Sequence, residues 1–289
     1  MKLLRILIGL SLVGACTQGG DGATAANVAA PADAVEATAA EHAGDAPAAT
    51  PISEVAPAVP VLEQEIAYGA SSERNFVGYL VMPADVVEPI PGIIMIHEWW
   101  GLNENIRAMA RRLSGEGYAV LAVDLYGGQV AETPTEAQAL MAETMRARDS
   151  VLENIAQAYE YLDQSVLAPR IATLGWCLGG GFSLEAGLSM GELLDAVVMY
   201  YGQVTTDTDR LDSLDAPLLG LFAELDESIP VRDVQRFRST LRDLGKNAEV
   251  LIYSDVDHAF ANPSGGAYDQ QAAEEAWETT IQFLERQLK

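Results

Sequence analysis

The stretch that most constrains the fold is Ile171-Ala172-Thr173-Leu174-Gly175-Trp176-Cys177-Leu178-Gly179-Gly180-Gly181. A short apolar run rich in strand formers ends at Gly175, and a pattern compatible with a helix begins at Leu178. The turn between them reads Gly-x-Cys-x-Gly, a nucleophile-elbow pattern with cysteine at its centre. Small residues two places before and after the cysteine let strand and helix approach closely. The central side chain is thereby lifted to the top edge of a sheet. The first amides of the helix then point at whatever sits on the sulfur, and their partial positive charge favours a thiolate or an oxyanion. The alternative is a buried structural cysteine beside a Gly-rich turn, because free cysteine is among the most buried residue types.

The rest of the chain predicts the sheet that this turn requires. Glu63 to Gly69 and Phe76 to Met82 read as a strand pair joined by residues 71–75. Gly92 to His97 and Ala119 to Asp124 are continuous apolar runs, hence buried strands. Further strands are expected at Asp195 to Tyr200, Ala216 to Phe222 and Ala248 to Tyr253. Helical periodicity covers Glu104 to Gly115 with Asn103 as cap, Pro134 to Asp163 in two pieces, Val231 to Leu244, and Gln270 to Gln287. Strands alternating with helices predict an α/β fold with a mostly parallel central sheet and helices on both faces. Reactive groups in such a sheet gather at the carboxyl ends of its strands.

Two partners for the thiol fall at those ends. Asp226 follows the strand that ends near Phe222, and His258 follows the strand that ends at Tyr253. A thiol is mostly protonated at neutral pH, so an imidazole must take its proton, and a carboxylate must fix the imidazole's tautomer. The order Cys177, Asp226, His258 is the nucleophile–acid–base order of α/β-hydrolases. Taken singly, His258 could be a loop histidine and Asp226 a solvated turn acid; taken together they predict a catalytic triad. A third group, Glu98, lies in His97-Glu98-Trp99-Trp100-Gly101 after the first buried strand, where a second oxyanion amide is expected. The amides of Trp99 and Leu178 are the candidates. His-Glu-x-x-Gly lacks the second histidine of a zincin, so no metal is expected.

The N-terminus has a different character. Lys2 and Arg5, the apolar run Ile6 to Val13 and the small residues before Cys16 read as an export signal over residues 1–16. The apolar run is too short to span a bilayer. A cysteine after small residues resembles a bacterial lipoprotein processing site, so Cys16 is the expected lipidation site. The protein is then an exported, periplasmic or outer-membrane lipoprotein of a bacterium, touching the membrane only through that anchor. Residues 17–62 are mostly Ala, Pro, Gly, Thr and acids and predict a disordered tether reaching roughly 40 Å. His42, within it, is given no role. The hydrolase-like domain is expected over 63–289. A formal net charge of −25 excludes nucleic acid as a partner. With Cys16 consumed by the lipid, Cys177 has no disulfide partner.

Five ordered motifs identify the chain beyond its fold class: His97-Glu98-Trp99-Trp100-Gly101, Asp124-Leu125-Tyr126-Gly127, Gly175-Trp176-Cys177-Leu178-Gly179-Gly180, Asp226 in its turn, and His258-Ala259-Phe260. Together they resemble the dienelactone hydrolase family of the α/β-hydrolase fold, from about Ile66 to the C-terminus. The resemblance implies that Cys177 attacks an ester or enol-lactone carbonyl with His258 as base, oriented by Asp226, and that Glu98 contacts the resting thiol and helps activate it. It implies no cofactor and a small-molecule ester or lactone as substrate, and the chain is expected to be a monomer. Trp99, Trp100, Tyr126, Trp176 and Phe260 would line an apolar pocket; for Trp100 and Trp176 core packing is the alternative. The family's dienelactone cleavers carry an arginine four residues after the catalytic histidine, a position held here by Asn262, and Arg146 and Arg148 lie where another such arginine is found. An amide does not replace a bidentate guanidinium clamp, which leaves the particular substrate open. Two rival readings use the same residues: a thiol peptidase or acyltransferase, and a non-catalytic envelope binding protein that keeps the fold.

Overall fold

The computed structural model describes residues 35, 36, 38–40 and 42–289. Eight strands form one sheet in the order β1-β2-β4-β3-β5-β6-β7-β8. The antiparallel edge is β1 (Val61–Ala70) and β2 (Asn75–Pro83), and β2 also runs antiparallel to β4. The remaining strands are β3 (Gly92–Ile96), β4 (Ala119–Val123), β5 (Ile171–Trp176), β6 (Ala196–Tyr200), β7 (Leu218–Ala223) and β8 (Ala248–Tyr253). These six are mutually parallel. The architecture is the mostly parallel α/β sheet that the alternation of strands and helices predicts, in the α/β-hydrolase fold that the resemblance implies.

The longer helices among the described residues are α1 (Glu104–Gly115), α2 (Pro134–Arg146), α3 (Arg148–Tyr161), α4 (Leu178–Met190), α5 (Val231–Asp243) and α6 (Gln270–Leu288). The Asn103 side chain accepts from the Ile106 amide at 3.0 Å, which caps α1 as its sequence predicts. Strand side chains alternate between two apolar layers. Ile93 and Met95 pack with α1 and α6 on one face. Ile94 and Ile96 pack with α3, α4 and α5 on the other. Both faces of β3 to β7 are therefore covered, and that is why their sequences read as unbroken apolar runs.

After β3 the chain first goes to β4 on one side and then crosses to β5 on the other. The neighbouring carboxyl ends of β3 and β5 thus form the topological switch point, where open α/β sheets hold their ligands. Glu98 leaves the first of these strands and Cys177 the second.

The tether expected over residues 17–62 needs correction from His42 onward. Residues 42–60 lie against the domain. Ala49 forms an antiparallel bridge with Ser264, the Thr50 amide donates to the Pro263 carbonyl at 3.3 Å, and the Gly265 amide donates to the Ala48 carbonyl at 3.1 Å. Ile52, in the single turn Pro51–Glu54, enters the core between α1 and α6. Composition averaged over the stretch hides this, because one isoleucine and a few backbone hydrogen bonds seat a segment otherwise poor in apolar side chains. The signal residues 1–16, with Cys16, lie outside the described residues. Among the described residues no helix is long and apolar enough to cross a membrane.

Candidate active site

Cys177 is the N-cap of α4 and has φ 50° and ψ −114°, a left-handed conformation that non-glycine residues rarely adopt. Its amide donates to the Tyr200 carbonyl at 3.0 Å, which fixes the turn against β6. Two glycines make the turn possible. A Cβ on Gly175 would lie 2.2 Å from the Gly179 carbonyl oxygen, and one on Gly179 would lie 2.2 Å from the Ile96 carbonyl oxygen. As the first residue of α4, Leu178 has an amide with no intrahelical acceptor.

The three residues expected to form a triad meet. His258 Nδ1 lies 2.7 Å from Asp226 Oδ2, and Asp226 Oδ1 accepts from the Ile229 amide at 2.6 Å. Both carboxylate oxygens are thus engaged, one by the imidazole and one by its own turn. The His258 ring in turn interacts with the Cys177 thiol by hydrogen bonding and charge. His258 is 3% exposed and Cys177 5%. Burial alone would push the thiol up, but the His258 and His42 imidazoles more than offset it and lower its pKa from 9.0 to about 7. Burial likewise disfavours the charged imidazole of His258, yet Asp226 and the thiol raise it well above 6.5. Strain gathers around these groups: Tyr201 and Ala259 also have positive φ, 34° and 63°. Each such residue costs on the order of 1–3 kcal/mol, and the surrounding packing must hold it.

Glu98 is fully buried next to the thiol. Its Oε2 accepts from the Trp100 amide at 2.5 Å. Desolvation raises its pKa well above 4.5, which favours the uncharged carboxyl beside the thiol. Ser264 also hydrogen-bonds it, while the Ser264 hydroxyl accepts from Asn103 at 3.0 Å and Asn105 at 2.9 Å. His97 is structural: its Nε2 accepts from the Leu125 amide at 3.1 Å, so Nδ1 carries the hydrogen and donates to the Glu98 carbonyl at 2.6 Å. That pins the loop after β3 to the loop after β4. Tyr126 acts on the same loop, its hydroxyl donating to the Trp99 carbonyl at 3.0 Å.

The residues expected to line a pocket divide. Trp99 and Trp100 are buried with ring centroids 4.8 Å apart, and Trp99 faces the site through His42. Trp176 packs on Tyr200 at 5.5 Å within the apolar layer toward α6, so its surroundings are those of a core residue. Phe260 supports Tyr201 at 5.5 Å, and Tyr201 in turn packs edge-on to His258 at 5.1 Å. The Asn262 side chain closes its own turn, accepting from the Ser264 amide at 3.0 Å, and its carbonyl accepts from the Thr50 hydroxyl at 2.9 Å. Arg148 pairs with Glu185, and Arg146 is exposed.

Sequence reasoning missed His42, Asp45, Tyr201 and Ser264. The tether composition concealed the first two, although His42 is one of only three histidines. Tyr201 follows β6 directly and could have been found from its place at a strand's carboxyl end.

Comparison with known proteins gives the chain its family. The model of the family described as "Dienelactone hydrolase family" matches residues 76–288. A "Putative carboxymethylenebutenolidase" of Aquifex aeolicus is 30% identical over 206 residues, covering 69% of this chain and 89% of that protein. A protein of the same name from Escherichia coli (strain K12) is 28% identical over 265 residues, covering 85% and 96%. Among solved structures, a "Putative Dienelactone Hydrolase" from Klebsiella pneumoniae superposes with a TM-score of 0.70 at 26% identity, over 78% of this chain and 99% of that one. With its sheet, its elbow and its ordered motifs, the chain belongs to the dienelactone hydrolase family and is a hydrolase.

Proposed function

We propose that this hydrolase cleaves a small ester or enol-lactone through an acyl-enzyme on Cys177. The observation that carries the reading is the 2.7 Å contact between His258 Nδ1 and Asp226 Oδ2, on an imidazole that also engages the elbow thiol. With Nδ1–H held by Asp226, Nε2 is the atom that takes the thiol proton. The thiolate attacks the carbonyl carbon, and the Leu178 and Trp99 amides receive the oxyanion. Collapse of the tetrahedral intermediate breaks the C–O bond, and the departing oxygen takes the proton from His258. A water then gives a proton to His258 and attacks the thioester, releasing the acid and the thiol. Burial disfavours the charged form of Glu98 beside the sulfur, which lessens like charge near the thiolate.

The names of the relatives support trying an enol-lactone among the first substrate classes. Asn262 stands where the family's substrate-gripping arginine is expected, so a substrate without a carboxylate at that point fits this chain better than a dienelactone acid. Acid quench during turnover of a p-nitrophenyl ester, followed by peptide mass analysis, tests the covalent step. An acyl group on the Cys177 peptide is the expected result; its absence at saturating substrate, with burst-phase product present, argues against an acyl-enzyme at this residue.

Export and lipidation at Cys16 complete the reading, supported by the signal pattern of residues 1–16. Palmitate labelling in a bacterial host, lost in Cys16→Ala, is expected. Equal labelling of both chains, or none of either, removes the anchor from the account.

A further inference from the structure

One imidazole beside the thiol is not needed by the triad. His42 lies outside the residues matched by the family model, in the N-terminal segment that folds over the site. It is 3% exposed. Its Nδ1 lies 2.6 Å from Asp45 Oδ2, its ring stacks on Trp99 with centroids 4.7 Å apart, and it meets the His258 ring edge-on at 5.7 Å. The other ring nitrogen, Nε2, is buried with no hydrogen-bond partner among the described residues, and the ring is close enough to Cys177 for their charges to act on each other. The sulfur therefore sits with two imidazole–carboxylate pairs, His258–Asp226 and His42–Asp45.

The segment is seated firmly enough to deliver that ring. The His42 amide donates to the Thr38 carbonyl at 3.1 Å, and the Asp45 amide donates to the His42 carbonyl at 3.0 Å. Farther along, Asn105 donates to the Pro47 carbonyl at 3.2 Å, the Thr50 hydroxyl donates to Asn262, and Arg112 donates to the Ile52 carbonyl at 3.1 Å. Asn262 and Ser264 thus tie the same loop to both the segment and Glu98.

We propose that His42, oriented by Asp45, is a further catalytic residue, a second imidazole that donates its Nε2–H to the Cys177 thiolate, so that the working site is completed by the N-terminal segment. The proposal rests on Cys177 being the nucleophile. Transfer of the S–H proton to His258 leaves the thiolate between two N–H donors, one on each imidazolium. When the C–S bond forms and the C–O bond breaks, the departing oxygen takes the proton of His258, which regains one from the hydrolytic water. His42 keeps its proton throughout and orders the sulfur. The charge on His42 fits this role: burial and the neighbouring His258 disfavour it, but the thiol and Asp45 outweigh them and raise its pKa above 6.5.

The test reads alkylation of Cys177 by iodoacetamide against pH, followed on the Cys177 peptide of the full chain, beside kcat/KM for a p-nitrophenyl ester. Wild type should alkylate with a midpoint of about 7. His42→Gln should move the midpoint toward the ~8.5 of a free thiol. It should also lower kcat/KM at neutral pH by at least ~10-fold. Asp45→Asn should move both in the same direction by less, and thermal unfolding checks that each variant folds; should His42→Gln not fold, the Asp45→Asn shift decides. An unmoved midpoint and unchanged turnover would overturn the proposal. So would faster alkylation and turnover at every pH, which would make the segment a cover only. Turnover retained in Cys177→Ala would strike the nucleophile reading, and this proposal with it. Loss in Cys177→Ala with an unmoved His42→Gln would strike this proposal alone.

Discussion

Asp226→Asn is expected to lower kcat by roughly 10³–10⁴-fold while the protein stays folded. The carboxylate now accepts from His258 Nδ1 at 2.7 Å and from the Ile229 amide at 2.6 Å. The asparagine carbonyl can satisfy only one of these donors. If it keeps the Ile229 amide, its NH₂ faces Nδ1, and the ring proton must move to Nε2. The imidazole then has no lone pair for the thiol. The charged imidazole also loses the carboxylate that holds its pKa up against burial. Steady-state kinetics on a short-chain ester reads the effect. A loss below tenfold in a folded variant would mean that Asp226 does not orient the base.

Gly179→Ala is expected to destabilise the fold by about 3 kcal/mol or more, the range reached when backbone atoms are forced apart. The added Cβ would lie 2.2 Å from the Ile96 carbonyl oxygen and 2.5 Å from that of His97, and neither can swing away as a side chain could. Both carbonyls belong to the end of β3 and the loop that carries Glu98. Relief therefore requires α4 to retreat from the sheet, taking Cys177 and the Leu178 amide with it. Urea unfolding followed by circular dichroism measures the loss. An unchanged midpoint would show that strand and helix do not depend on this close approach.

The fold was legible because its signals are local and repeated. Apolar runs such as Ile93-Ile94-Met95-Ile96 are long enough for a strand, too short for a helix, and buried on both faces. Asn103 marks a helix start by its capping chemistry. The meeting of Cys177, His258 and Asp226 was legible for a related reason, since each follows its own strand and the order of strands fixes where they meet. What could not be read is long-range. Trp176 is part of a recognisable motif, yet whether it faces substrate or Tyr200 depends on the register of two strands and a distant helix. His42 sits in a segment whose average composition predicts a tether, and its position depends on hydrogen bonds to residues more than two hundred places away. Composition describes a stretch, whereas one seated isoleucine and one bridge decide where it goes.

The central claim is that Cys177 is the nucleophile. The most direct measurement is hydrolysis of a short-chain p-nitrophenyl ester by the full chain beside Cys177→Ala, with a small lactone panel run in parallel. Removal of a nucleophile from a triad costs several powers of ten in kcat, so turnover by wild type and background rate in the variant is the result expected. Equal turnover by the two chains would contradict the account, because the chemistry would then lie away from the elbow.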